Sequence, residues 1–388
     1  MAEISRRGFV ETGALLAALA GAAARGAAAE RAPDVRMTGD GPELTPAETV
    51  ALLAERVGAS GFVADEYGLG GAAEDLERHF AALLGKERAL FFPTGTLANH
   101  VALRTLAGAR RRVIVQDVSH VYNDTGDSAQ ALSGLNLVPL APGRATFAWE
   151  DVQKALDRTA SGRVRSDVGV LSIESPVRRL RGELFDRAEL DRVAANARAK
   201  GIRLHLDGAR LFMASAYTGL APAAYAAPFD TVYVSLWKYF GAPNGAILAG
   251  PADVIDGLFH VRRAFGGALW SVWPFAAVAR HLADGFVERL RSAIAVSDAF
   301  LGALAGVDAL AVERVTNGTN VLGVRLLRGD ADAFAARLRR DGIAVPHPAP
   351  DPAGPVFWLR VNETWNRRDG RALADAFRRA AEGGGGTA

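Results

Sequence analysis

The chain has 388 residues, 49% of them hydrophobic, with 45 Lys and Arg against 43 Asp and Glu. That length buries one large core and a smaller domain without covalent staples, and a net charge of +2 with no basic stripe between aromatics argues against a nucleic-acid partner. The absence of cysteine excludes disulfides, thiolate catalysis and cysteine-ligated metal, and no metal site is expected.

In chain order, Ser5-Arg6-Arg7-Gly8-Phe9-Val10 precedes an apolar run from Gly13 to Ala24, and Ala27-Ala28-Ala29 offers small residues for cleavage before Glu30. This resembles a twin-arginine export signal over residues 1–29; the plainer alternative is a disordered basic tail. The run is too short and too rich in alanine and glycine to span a bilayer, so a periplasmic protein without stable membrane insertion is expected. Residues 30–46 are polar and read as a linker or a late-packing arm. Helix patterns follow over Ala47–Val57, Glu74–Leu84 and Leu97–Leu106. Strand patterns fall at Ala89–Phe92, Arg112–Val115, Leu137–Leu140, Val168–Ile173, Arg203–Leu206, Thr231–Val234 and Ala246–Ala249. Seven strands alternating with helices predict an α/β fold, a mostly parallel sheet covered on both faces, in a large domain spanning 47–285. From Phe286 the pattern reads helix, strand (Val321–Leu326), helix (Ala331–Arg340), strand (Val356–Arg360) and helix (Gly370–Ala381). That is a small α+β domain over 286–382, and the glycine run of 383–388 is expected to be disordered.

Lys238 is one of four lysines beside 41 arginines. A guanidinium cannot become a nucleophilic amine, whereas a desolvated lysine loses its proton and forms Schiff bases with aldehydes. Lys238 follows a strand, in Ser235-Leu236-Trp237-Lys238-Tyr239-Phe240-Gly241; an ordinary loop lysine is the alternative reading. Asp207 ends the strand before Gly208-Ala209-Arg210, where a carboxylate can keep a ring nitrogen protonated. Thr94-Gly95-Thr96 opens a helix after a buried strand. Free N–H groups and hydroxyls there suit a phosphate, and a simple helix cap explains the string as well. Together these residues describe a site for pyridoxal 5′-phosphate.

From Tyr67 to Arg360 the ordered segments resemble the fold-type I pyridoxal-phosphate enzymes, in particular the L-threonine aldolase and aromatic β-eliminating lyase family. The segments are Tyr67-Gly68, Leu84-Gly85-Lys86-Glu87, Phe91-Phe92-Pro93-Thr94-Gly95-Thr96-Leu97-Ala98-Asn99, Asp117-Val118-Ser119-His120, Leu132-Ser133-Gly134, Ile173-Glu174, Leu204-His205-Leu206-Asp207-Gly208-Ala209-Arg210 and the Lys238 loop. The resemblance implies that Lys238 carries the cofactor, Asp207 meets its ring nitrogen, Thr94, Gly95 and Thr96 hold its phosphate, and His120 stacks on its ring. A satisfied histidine at a strand end is the alternative for His120. Arg210 and Arg360 match the family's carboxylate clamp, since a guanidinium binds a carboxylate through paired hydrogen bonds, although in so arginine-rich a chain either fits an ordinary surface role too. The same resemblance implies an amino-acid substrate and a homodimer or homotetramer. Export of an already folded chain suits a cofactor loaded in the cytoplasm.

The departures concern the substrate. No glutamate follows His120 in Tyr122-Asn123-Asp124-Thr125-Gly126-Asp127, so Asp124 or Asp127 is expected in its place. Trp270 stands where the family has a phosphate-binding arginine, and Trp237 where it has serine. The family's Asp-Thr-x-Thr near the N-terminus is replaced by Thr38-Gly39-Asp40-Gly41-Pro42-Glu43. Trp237, Tyr239, Trp270 and Trp273 would line a pocket for a bulkier β-hydroxy side chain, or else pack a subunit interface. The expected activity is cleavage of Cα–Cβ in a β-hydroxy-α-amino acid to glycine and an aldehyde. The alternatives are β-elimination or a pyridoxal-phosphate-binding protein impaired in catalysis.

Overall fold

A computed structural model describes residues 33–383; the leader and residues 384–388 lie outside the described residues. Seven strands form the main sheet: β2 (Arg88–Phe92), β3 (Arg112–Gln116), β4 (Asn136–Leu140), β5 (Val168–Glu174), β6 (Arg203–Asp207), β7 (Thr231–Ser235) and β8 (Ala246–Gly250), in the order β2-β8-β7-β6-β5-β3-β4. Pairing is parallel from β7 through β6, β5 and β3 to β4, and β8 runs antiparallel to both its neighbours. All seven residues of β5 are buried, and so are all five of β7. Strands covered on both faces need such uninterrupted apolar runs. The expected α/β architecture is therefore present.

The observed strands extend one residue past several expected ends, to Gln116, Glu174, Asp207 and Ser235. Each added residue is polar and sits at the carboxyl end, where an apolar pattern stops before the backbone pairing does. That edge is where open α/β sheets bind ligands.

The carboxyl-terminal part holds an antiparallel sheet, β12 (Val356–Arg360), β10 (Val321–Leu326) and β9 (Leu310–Arg314), packed with the helices Phe286–Leu304 and Gly370–Glu382. β9 was not expected from the sequence; its outer residues alternate in burial, as an edge strand's do. Gly383 is not part of a disordered tail but takes the left-handed conformation that ends the last helix.

Residues 33–45 are built into the fold more firmly than a linker. β1 (Val35–Arg36) pairs in parallel with β11 (Ile343–Ala344), and Val35 and Met37 are fully buried. Asn362 donates to the Arg36 and Gly39 carbonyls, both at 2.7 Å, and the Arg360 N–H donates to the Met37 carbonyl at 2.9 Å. Helix Pro46–Gly58 then begins at a capping box between Thr45 and Glu48. The core is continuous across the expected division at 285/286: Phe286 packs on Tyr239 and Phe240, ring centroids 5.1 Å from each, and Phe240 meets Phe80 and Phe212.

Candidate active site

The sequence-predicted residues gather along one edge of the main sheet. Thr94 follows β2, His120 follows β3, Asp207 ends β6 with Arg210 three residues on, and Lys238 follows β7. Arg360 arrives from the end of β12.

Asp207 is 3% exposed. Its Oδ2 accepts from Asn99 Nδ2 at 2.7 Å and its Oδ1 from the Ala209 N–H at 3.2 Å. Because Asn99 gives its amide N–H to Asp207, its Oδ1 faces His205 Nε2 at 2.9 Å, while His205 Nδ1 meets the Thr231 hydroxyl at 2.8 Å. An amide oxygen only accepts, so His205 is protonated on Nε2 and takes the Thr231 proton on Nδ1. Burial lowers the His205 pKa to about 4, and the ring stays neutral. Neutral groups thus orient Asp207, and among the described residues no Lys, Arg or His forms an ion pair with it. A buried carboxylate without a counter-charge is costly, and a protonated ring nitrogen supplies the missing cation.

Lys238 is half-buried. Burial, then the Arg210 charge, lowers its pKa to about 8, so roughly a tenth of the amine is uncharged at neutrality, far more than in an ordinary lysine. Its Nζ lies 5.6 Å from the centre of the Trp237 ring. Three residues earlier, Ser235 Oγ is buried with no hydrogen-bond partner among the described residues.

Thr94 caps helix Gly95–Ala107, accepting from the Leu97 N–H at 3.2 Å. The cap reading therefore holds, and the hydroxyl proton stays free to donate. Gly95 is required by contact: a Cβ there would lie 2.0 Å from the Tyr233 hydroxyl. Thr96 is half-buried in the first turn. Helix N–H groups, two hydroxyls and a glycine with the backbone brought close make a phosphate cradle. His120 is half-buried, its Nδ1 has no partner among the described residues, and burial is the main cause of its lowered pKa. Its backbone is held by Glu174, whose Oε2 accepts the His120 N–H at 2.6 Å and whose Oε1 accepts the Arg178 N–H at 2.8 Å. Burial, reinforced by Asp207 on the neighbouring strand, raises the Glu174 pKa.

These residues fit pyridoxal 5′-phosphate: an unpaired buried carboxylate for the ring nitrogen, an amine of lowered pKa, a phosphate cradle, and unpartnered polar atoms on Ser235 and His120. Arg210 and Arg360 converge, but on the chain's own Asp40. Arg210 Nε reaches Asp40 Oδ2 at 2.7 Å, and Arg360 Nη1 and Asn320 Nδ2 reach Oδ1 at 2.8 and 3.1 Å. Burial raises the Asp40 pKa, but Arg210 and Arg360 outweigh it and hold the carboxyl below its ordinary value.

Two expectations are corrected. Asp124 does not stand ready as a base: it is paired with Arg178 and with Arg179 at 2.7 Å. Partial burial would raise its pKa, but the two guanidiniums hold it at about 2. Asp127 is exposed in a left-handed turn. The four-ring lining also dissolves. Tyr239 is fully buried among Phe212, Phe240 and Phe286. Trp273 packs edge-on to Phe62, and Trp270, 63% exposed, lies edge-on to Tyr67. Trp237 alone of the four borders a cavity with Lys238, of about 520 Å³, walled also by Pro42, Leu44 and Pro243.

Several residues carry the site without having been singled out in the sequence. Asn99, four residues past Gly95, falls one turn along the same helix face, a spacing that could have marked it. Glu174 and Asp40 stood in strings noted from the sequence, but their roles rest on long-range contacts that no local pattern shows. Asp65 binds the N–H groups of Gly68, Val272 and Trp273 at 2.6–3.0 Å, tying the Tyr67 and Trp270 loops together.

The chain is 33% identical over 196 residues to a low-specificity L-threonine aldolase of Eremothecium gossypii, a match covering 50% of each protein. It is 30% identical, over the same length and share of the chain and of the relative, to that of Saccharomyces cerevisiae. The matched stretch thus spans about half the length of these curated relatives. Among solved structures, the Listeria monocytogenes protein assigned as an L-allo-threonine aldolase superposes with a TM-score of 0.76 at 26% identity, covering 91% of this chain and 97% of that one. A Leishmania major threonine aldolase, 18% identical with a TM-score of 0.69 over 90% of this chain and 99% of that one, shares the fold. A model of the beta-eliminating lyase family matches residues 53–326, most of the chain and every strand of the main sheet, and the chain belongs to that family.

Proposed function

We propose that the chain is a pyridoxal-phosphate-dependent carbon–carbon lyase of the threonine aldolase type, splitting a β-hydroxy-α-amino acid into glycine and an aldehyde. The observation that carries this reading is the buried Asp207 carboxylate, which forms no ion pair among the described residues, one strand from a lysine of lowered pKa. When bound, the cofactor supplies an electron sink for charge developing at Cα, and Asp207 keeps that sink protonated.

The chain's own groups divide the remaining work. Arg210 and Arg360 bind the substrate carboxylate and fix the Cα–Cβ bond in place. A base must remove the β-hydroxyl proton as that bond breaks and the C–O becomes a carbonyl. With Asp124 neutralised by Arg178 and Arg179, the group left for the task is His120, whose lowered pKa keeps the ring able to accept a proton at neutral pH. Cα then takes up a proton to complete glycine. The description of the matched family keeps β-elimination as a second reading, with a keto acid and ammonia as products. Incubation with β-hydroxy amino acids of graded side-chain size should give glycine and the matching aldehyde; keto acid and ammonia would select the second reading. The resemblance also carries a homodimer or homotetramer, which light scattering on the purified holoenzyme decides.

Residues 5–29 support export of the folded chain to the periplasm. Cell fractionation should find the protein there, and replacing Arg6 and Arg7 by Lys should leave it in the cytoplasm; unchanged distribution would sink the export reading.

Mixing cofactor-free protein with pyridoxal phosphate should generate a visible band, and its rate of appearance should rise with pH through a midpoint near 8, where half of the Lys238 amine is uncharged, and level off about one unit higher. A rise continuing toward pH 10, or a band surviving Lys238→Ala, would place the capture elsewhere. Asp207→Asn should retain the cofactor, because the phosphate cradle is untouched, yet lower turnover by several orders of magnitude. Activity within about tenfold of wild type, a barrier change of only ~1.4 kcal/mol, would count against its role.

A further inference from the structure

Asp40 lies between the two arginines of the carboxylate clamp, and its geometry sets its role apart from that of a competing ligand. It meets Arg210 edge-on through Nε, and among the described residues neither Nη of Arg210 meets a protein acceptor. Arg360 is engaged through Nη1 alone, and its side chain remains 29% exposed. Both guanidiniums thus keep N–H groups for another carboxylate. Nor can Asp40 readily swing away. Its own side chain is 6% exposed and held by the fully buried Asn320. The preceding Gly39 carbonyl is tied to Asn362, and the following Gly41 packs so tightly that a Cβ would lie 2.6 Å from the Tyr239 Cα.

Charge supports the same conclusion. Two guanidiniums brought together in a mostly buried place repel each other, and one carboxylate between them removes that repulsion. Two positive charges less one negative leave +1, which matches a single substrate carboxylate. Arg210 follows β6 of the main sheet and Arg360 ends β12 of the smaller one, so the Asp40 bridge also ties the two parts of the chain together at the site.

We propose that Asp40 is a positioning residue that sets Arg210 and Arg360 as one preorganised clamp for the α-carboxylate of a monocarboxylate amino acid. The inference rests on the functional reading above and adds to it the residue that builds the clamp. Arg side chains held in place before the ligand arrives spend less entropy on binding it.

The test is calorimetric titration of the holoenzyme with glycine, which reads binding without turnover, alongside the visible cofactor band. Asp40→Asn, close in shape but uncharged, should weaken glycine binding at least about tenfold with the band unchanged. Asn320→Ala, which removes one tether and leaves the charge, should weaken it less and in the same direction. In an Arg360→Ala background the Asp40→Asn effect should be smaller than in the wild type, because only Arg210 is then left for Asp40 to position. Tighter glycine binding by Asp40→Asn would show that Asp40 competes for the clamp and would overturn the proposal. So would unchanged binding, or a full tenfold loss that persists without Arg360. Should Asp40→Asn fail to fold, Asn320→Ala decides alone: unchanged or tighter glycine binding refutes the proposal. A wild-type holoenzyme that binds no glycine refutes the functional reading itself, whereas wild-type binding with unaffected variants refutes only the role of Asp40.

Discussion

The site is organised around a carboxylate that the fold buries and does not neutralise. Asp207 receives hydrogen bonds from an amide side chain and a backbone N–H, and the relay behind it, through Asn99, His205 and Thr231, is uncharged throughout. Each member of that relay has a defined donor and acceptor role, so the carboxylate cannot rotate without leaving a buried group unsatisfied. Arg210, three residues further along the chain, is turned toward Asp40. A fold that spends three polar side chains on orienting one carboxylate, and diverts the neighbouring cation, keeps a place for a cation that is not part of the chain.

The same charge layout accounts for Lys238. Arg210 sits close enough to depress the lysine, and burial acts in the same direction, while Asp207, Asp40 and Glu174 act against them. Writing nearly every other cation as arginine leaves those guanidiniums charged at any working pH. Lys238 can then be the group whose proton is negotiable, with His120 beside it as the second. Asp124 shows the opposite outcome: two arginines fix it in the charged form and remove it from proton transfer.

Much of this was legible in the chain because it is written locally. The strand runs are apolar, the helix after Thr94 has its cap and its glycine, and Asp207-Gly208-Ala209-Arg210 and the Lys238 loop are contiguous strings. What escaped is non-local. Asp124 looked like a free carboxylate because Arg178 and Arg179 lie more than fifty residues away. Tyr239 looked like a pocket ring because it adjoins Lys238, yet the chain turns there, beyond the end of β7, and Tyr239 enters the phenylalanine core. Residues 30–46 looked like a linker because their composition is polar, and two of their polar residues, Thr38 and Asp40, are spent on contacts within the fold. β9 was missed because an edge strand is only half-buried and carries a diluted pattern.

The N-terminal arm shows why the cofactor was easier to read than the substrate. The candidate cofactor residues follow the ends of strands in the main sheet, where sequence spacing and space agree. The proposed carboxylate clamp draws on four separate places: Asp40 on the arm, Arg210 beyond β6, Arg360 at the end of β12 and Asn320 just before β10. No spacing rule links these four, and the hydrogen bonds among them span from 170 to 320 residues of sequence. The arm is stitched to the smaller sheet by Asn362 and Met37, so Asp40 reaches Arg210 only once both sheets have formed. The Asp40–Arg210–Arg360 cluster is therefore a property of the completed fold, and it takes shape where the two parts of the chain meet.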